Sequence, residues 1–319
     1  MHTQKLSRRS VLAKTGALLG AAVATQALAP AKAVAGPFSR KPFLFCLNTS
    51  TIRGQKLGIV KEIEITAKAG YDAIEPWVDS IEEYVKGGGS LGDLRKRIDD
   101  HGLIVADAIG FPEWIVDDES RRNRGFERAK REMEMVARIG GKRFACPPAG
   151  ATDAAGFSLA RAAERYRALL EIGDRIGILP QLELWGFSKN MNRLGECACV
   201  AVDTGHPKAC ILADVYHLYK GGSNYHGLRL LAAETVQMIH MNDFPANPPR
   251  EKIDDSFRVY PGDGTGEITG ILRDLRANGG QKTLSLEVFN RDYWKQDPFL
   301  VAKTGLAKMK AAANAALRG

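Results

Sequence analysis

From Pro42 onward, short apolar runs rich in β-formers alternate with longer segments whose apolar residues recur every three to four positions. The runs Phe43–Asn48, Ala73–Trp77, Ile104–Ile109, Arg143–Pro147, Pro180–Trp185, Cys210–Val215, Gln237–Asn242 and Thr283–Val288 read as strands. Ile59–Ala69, Gly125–Ile139, Leu159–Ile176 and Ile268–Ala277 carry the helical period between them. Gly70, Gly102, Gly140-Gly141, Gly177 and Gly279-Gly280 fall between a helix and the next strand, where a left-handed C-cap favours glycine. Eight strands in this alternation predict an α/β fold, a (β/α)8 barrel, with a doubly wound open sheet as the alternative. No linker, low-complexity stretch or internal repeat divides residues 37–319, so one domain is expected there.

The first 36 residues break the pattern. Ser7-Arg8-Arg9-Ser10-Val11-Leu12 precedes the modestly apolar run Ala17–Ala29, and the small-x-small triplets Ala31-Lys32-Ala33 and Ala33-Val34-Ala35 follow. This order resembles a twin-arginine export signal and predicts a periplasmic mature protein. Lys14 and several glycines make the run a poor membrane span, so the mature protein is not expected to be membrane-embedded.

Charge changes the picture little. The net charge is +8, and Lys5, Arg8, Arg9, Lys14 and Lys32 of the leader leave only +3 for residues 37–319. No stripe of Lys and Arg interleaved with aromatics appears, so no nucleic-acid partner is expected. The five cysteines form no disulfide-scaffold pattern. Cys46, Cys146 and Cys210 lie in apolar runs and read as core. Cys197 and Cys199 lie two apart in a helical pattern and face different directions.

Candidate chemistry comes from four consecutive strand-like runs, Leu-Glu-Leu-Trp (182–185), Leu-Ala-Asp-Val (212–215), Ile-His-Met-Asn (239–242) and Leu-Glu-Val-Phe (286–289). They place Glu183, Asp214, His240 and Glu287 after apolar stretches, where a buried charge is costly without a partner. A barrel would gather these residues around one axis at the C-terminal ends of its strands. Three carboxylates and one imidazole suit a divalent ion, Mn²⁺ or Mg²⁺ ahead of Co²⁺ or Zn²⁺.

These runs resemble the xylose-isomerase-like superfamily of sugar isomerases and epimerases. The resemblance covers roughly residues 42–317. It is carried by Leu182-Glu183-Leu184-Trp185-Gly186, Asp214-Val215-Tyr216-His217, His240-Met241-Asn242-Asp243, Leu286-Glu287-Val288-Phe289 and the tract Arg258-Val259-Tyr260-Pro261-Gly262-Asp263-Gly264. In the ketose 3-epimerase members, Glu, Asp, His and Glu at these positions hold one divalent ion. The resemblance therefore implies Glu183, Asp214, His240 and Glu287 as ligands, with Glu183 and Glu287 also the acid/base pair. It further implies that His217 contacts a substrate oxygen and that Arg258 orients one. A loop histidine and a surface ion pair are the alternative readings for those two.

Trp77, Trp114 and Trp185 could stack on a sugar or pack the core, and Trp294 lies near a strand–helix loop. Asn48 and Glu75 could bind sugar hydroxyls or satisfy loop backbone. The glycines around Asp263 are not followed by Gly-Lys-Ser/Thr, which argues against a nucleotide site. The expected function is a metal-dependent isomerase or epimerase acting on a small sugar through an enediolate. Alternatives are a lyase or dehydratase on a keto-sugar or keto-glycoside, a metal-dependent hydrolase, and a sugar-binding protein. A homo-oligomer is left open.

Overall fold

A computed structural model describes residues 41–318, so the expected export leader at residues 1–36 lies outside the described residues. Eight strands form: β1 (Phe43–Asn48), β2 (Ala73–Glu75), β3 (Ile104–Val105), β4 (Arg143–Cys146), β5 (Leu179–Glu183), β6 (Ile211–Asp214), β7 (Met238–Met241) and β8 (Lys282–Leu286). They are parallel and hydrogen-bonded in the order β3-β2-β1-β8-β7-β6-β5-β4. The two ends of that order meet, because Ile109 bridges both Trp77 and Ala145 in parallel. The Ala145 N–H also donates to the Ala108 carbonyl at 3.0 Å. The sheet is thus a barrel, and the open-sheet alternative is set aside.

The helices are α1 (Ile59–Ala69), α2 (Val78–Lys86), α3 (Leu91–Asp100), α4 (Glu119–Arg138), α5 (Leu159–Ile176), α6 (Leu194–Asp203), α7 (Val215–Lys220), α8 (Ile268–Ala277) and α9 (Pro298–Arg318). α1 turns Ile59, Ile63 and Thr66 inward and ends at Gly70, whose φ of 92° and N–H to the Thr66 and Ala67 carbonyls make a left-handed cap. α4 starts earlier than its apolar period suggests. Asp118 caps it by accepting from the Arg121 N–H at 2.7 Å, and the polar first turn carries no hydrophobic signal. No helix among the described residues is long and apolar enough to cross a membrane.

The barrel interior begins with a cluster in which Cys46, Ala73, Ala106 and Ala145 pack against the larger Ile109, Leu212 and Met238. Most outward strand faces pack against the helices in a larger core. Cys46, Cys146, Cys197 and Cys210 are buried, Cys199 is exposed, and all five are free. Some strands leave the ladder before their apolar runs end, since Trp185 and Phe289 line the barrel mouth beyond the ends of β5 and β8.

One close approach sets the mouth's geometry. A Cβ on Gly186, just beyond β5, would lie 2.4 Å from the His217 carbonyl oxygen and 2.7 Å from the Gly221 nitrogen. Only glycine lets the β5 loop rest on α7 at that distance. Overpacking against rigid backbone costs about 1–3 kcal/mol, so Gly186→Ala is expected to lower Tm by roughly 2–10 °C. A melting curve superimposable on wild type would contradict this contact.

Candidate active site

β5, β6, β7 and β8 deliver Glu183, Asp214, His240 and Glu287 to the C-terminal end of the barrel, where Glu183, His240 and Glu287 converge and Asp214, its Oδ2 held by Arg258 and Asn242, lies beside them; all four are buried. Donor atoms of Glu183, His240 and Glu287 lie within 4.8 Å of one another. His240 Nδ1 is 3.2 Å from Glu287 Oε2, 3.5 Å from Glu183 Oε1 and 3.7 Å from Asp214 Oδ2. It makes no hydrogen bond among the described residues. On the other side of the ring, His240 Nε2 lies 2.9 Å from Glu75 Oε1, and Ser285 Oγ donates to Glu75 Oε2 at 2.5 Å. The Glu75 carboxylate therefore fixes a proton at Nε2 and leaves Nδ1 as the nitrogen that faces the three acids.

Electrostatics say what such a point requires. Glu75, Glu183, Asp214 and Glu287 are four buried carboxylates, and Arg258 is the permanent cation among them. Burial disfavours a charged imidazole, yet Glu287 and Glu75 hold His240 well above its ordinary range, so positive charge is favoured there. An orphaned imidazole nitrogen facing three carboxylates fits a divalent cation. The two glutamates differ. Burial pushes Glu183 up to about 7. Burial acts on Glu287 too, but His240 and Arg258 outweigh it and hold that carboxyl well below the usual range.

Arg258 is 1% exposed, so the surface-ion-pair reading fails. Its Nη1 donates to Asp214 Oδ2 at 3.0 Å and to Glu287 Oε2 at 2.9 Å. Its Nη2 donates to the Asp255 carboxylate and, at 3.1 Å, to His217 Nε2. The loop carrying Arg258 is pinned because Asp243 and Val259 exchange both backbone hydrogen bonds at 2.9 Å. A guanidinium can only donate, so His217 accepts at Nε2 and bears its proton on Nδ1. Burial lowers the His217 pKa, consistent with a neutral ring. His217 Nδ1 is buried beside the cleft without a partner among the described residues.

Two expected substrate contacts are corrected. Asn48 accepts from Trp77 Nε1 and from the Ser50 N–H, each at 3.0 Å, and donates to Glu287 Oε1 at 3.1 Å. Its polar atoms are spent on the protein, where they orient Glu287. Glu75 is fully buried behind His240, deeper in the barrel than the cleft. Trp114 is core, its indole donating to the Pro147 carbonyl at 2.9 Å, and Trp294 donates to the Ser50 carbonyl at 3.0 Å. Trp77 and Trp185 do line the cleft, with His217, Arg258, Glu183 and Glu287.

Sequence reading passed over Asn242, which donates to Asp214 Oδ2 at 3.1 Å and to the Glu287 carbonyl at 3.2 Å. The two-residue period of a strand could have found it, since it shares an inward face with His240. Asp255, Phe111, Phe187 and Phe289 also line the cleft, which encloses about 160 Å³.

Residues 63–312 match the family model described as xylose isomerase-like TIM barrel. The chain is similar to an inosose isomerase of Bacillus velezensis, 24% identical over 257 residues that make up 78% of this chain and 90% of that protein. It is also similar to a 3-dehydroshikimate dehydratase of Pseudomonas aeruginosa, 25% identical over 232 residues. That match takes in 72% of this chain but 36% of the dehydratase, so this chain spans about a third of that relative's length. Relatives at this level of identity carry isomerase, epimerase and dehydratase names. Among solved structures, the IolI protein with a bound zinc atom superposes with a TM-score of 0.79 at 21% identity, covering 85% of this chain and 98% of that one. A match across most of a closed barrel, with the polar cluster where that fold keeps its sites, makes the assignment direct: the chain belongs to the xylose isomerase-like TIM barrel family.

Proposed function

We propose that this protein is a divalent-metal-dependent isomerase or epimerase of a keto-polyol, working by proton transfer at the carbon beside the carbonyl. The observation that carries this reading is His240 Nδ1, presented by Glu75 to three carboxylates, two of which, Glu183 and Glu287, also line the cleft. Glu183, Asp214, His240 and Glu287 would hold one ion, with Mn²⁺ or Mg²⁺ favoured by the oxygen-rich donor set and Co²⁺ or Zn²⁺ compatible with it. When bound, the ion supplies Lewis acidity toward the substrate's carbonyl and neighbouring hydroxyl oxygens.

The chain's own residues handle the proton. Glu287, kept ionised by His240 and Arg258, takes the proton from the α-carbon, and the electron pair passes into the substrate enediolate. Glu183, the second glutamate lining the cleft, is the partner that returns a proton to the enediolate. Arg258 and Asn48 fix the two Glu287 oxygens so that this carboxylate meets substrate in one orientation. His217 lines the cleft and accepts from Arg258 at Nε2, so it holds the guanidinium beside the substrate. A dehydratase or lyase would begin with the same proton removal and then expel a β-leaving group. The similarity to a protein named 3-dehydroshikimate dehydratase favours keeping this second reading.

The metal-loaded protein is expected to exchange the α-proton of its substrate with solvent D₂O. Glu287→Gln keeps an oxygen donor but removes the base, so exchange should fall at least about a hundredfold while some ion remains bound. Wild-type exchange in Glu287→Gln, followed by NMR with metal content measured in parallel, would remove Glu287 from the proton path.

Residues 1–36 fit a twin-arginine leader that would send the protein to the periplasm, a reading supported by Arg8-Arg9 before an apolar run. Replacing both Arg8 and Arg9 with Lys in the full chain should block periplasmic accumulation without altering the barrel's thermal melt. Unchanged accumulation would contradict this route.

A further inference from the structure

The cleft is divided by chemistry. Its hydrogen-bonding side chains, Glu183, His217, Asp255, Arg258 and Glu287, sit together at the ligand end. The remaining wall is Trp77, Ile109, Phe111, Trp185, Phe187 and Phe289. The aromatic rings touch in series: Phe289 on Trp77 at 6.0 Å, Trp77 on Phe111 at 5.2 Å, Phe111 on Trp185 at 5.8 Å and Trp185 on Phe187 at 5.1 Å. Phe187 then closes onto His217 at 5.8 Å. The rings form a collar around the mouth, and Phe187 remains 49% exposed at its rim.

This collar would be a poor host for an open-chain ketose. Apart from one within reach of the Trp185 indole N–H, a hydroxyl turned toward it would lose water without gaining a partner. A phosphate would find no better place. No lysine lines the cleft, and the Arg258 guanidinium is already committed to Asp214, Asp255, Glu287 and His217. The indole N–H of Trp77 is likewise spent on Asn48. What the wall offers is apolar ring edge and face, tilted from one ring to the next and running from the reacting end to the stacked Trp185–Phe187 pair at the solvent rim. A partly exposed cluster of rings of this kind marks a ligand contact.

We infer that the substrate is an unphosphorylated, ring-closed keto-polyol carrying an aromatic substituent, an aryl keto-glycoside being the simplest member of that class. Its oxygenated edge meets the ligand end, and its aryl group lies against the collar at Phe111, Trp185 and Phe187. This inference rests on the proton-transfer reading above and adds the part of the substrate that the chemistry does not specify.

The test uses metal-loaded mature protein in D₂O with phenyl 3-keto-β-D-glucoside, its methyl counterpart, D-fructose and D-fructose 6-phosphate. The phenyl glycoside should exchange its α-proton with kcat/KM about tenfold or more above the methyl glycoside. The phosphorylated ketose should show no advantage over the free one. Phe187→Ala, at a half-exposed position where folding is not at stake, should bring the phenyl-to-methyl ratio toward one, and Phe111→Leu should reduce it. Equal rates for phenyl and methyl glycosides, or a preference for the phosphorylated ketose, would overturn the aryl class and leave the proton-transfer reading standing. No exchange with any of the four, in protein shown to hold its ion, would overturn both.

Discussion

The hydrogen bond between Glu75 and His240 is the constraint on which the site depends. It joins β2 to β7 through the barrel interior and fixes which imidazole nitrogen faces Glu183, Asp214 and Glu287. Without it the ring could present either nitrogen, and the carboxylates would have no defined imidazole nitrogen facing them. Burial makes the arrangement demanding, because several carboxylates share a space that one guanidinium cannot balance. The arrangement favours positive charge at the same place where proton transfer beside a carbonyl needs it.

The fold holds this arrangement from several directions. Strand closure through Ile109 keeps the ring of strands complete, so ligands far apart in sequence converge. Asn242 braces Asp214, Asn48 braces Glu287, and the Asp243–Val259 pair carries the Arg258 loop back to the strand ends. Gly186 allows the β5 loop to lie against α7, which sets His217 beside Arg258. Few of these contacts touch the proposed reacting atoms directly. They fix the side chains that do, and that rigidity is what positioned proton transfer requires.

Much of this was legible in the sequence, for identifiable reasons. Strands and helices announced themselves through periods of two and of three to four, and glycine caps marked the helix ends. Glu183, Asp214, His240 and Glu287 stood out because polar residues ending apolar strands must find partners. Depth within the barrel was not legible. Glu75 and Asn48 also end strands, yet they lie behind the cleft and serve other side chains. Nor could spacing show how the long loop before Arg258 folds back, since that depends on a backbone pairing between Asp243 and Val259. Phe111, Phe187 and Phe289 were passed over because an aromatic beside a strand reads as core until its exposed face is seen.

Metal binding by the purified mature protein, measured with and without the Glu75 carboxylate, tests the central claim most directly. The account predicts about one Mn²⁺ per chain in wild type by elemental analysis. It predicts an affinity about 10–100-fold weaker in Glu75→Gln, with the barrel still folded by circular dichroism. A wild-type protein that takes up no divalent ion, or a Glu75→Gln variant that binds Mn²⁺ as tightly as wild type, would contradict it.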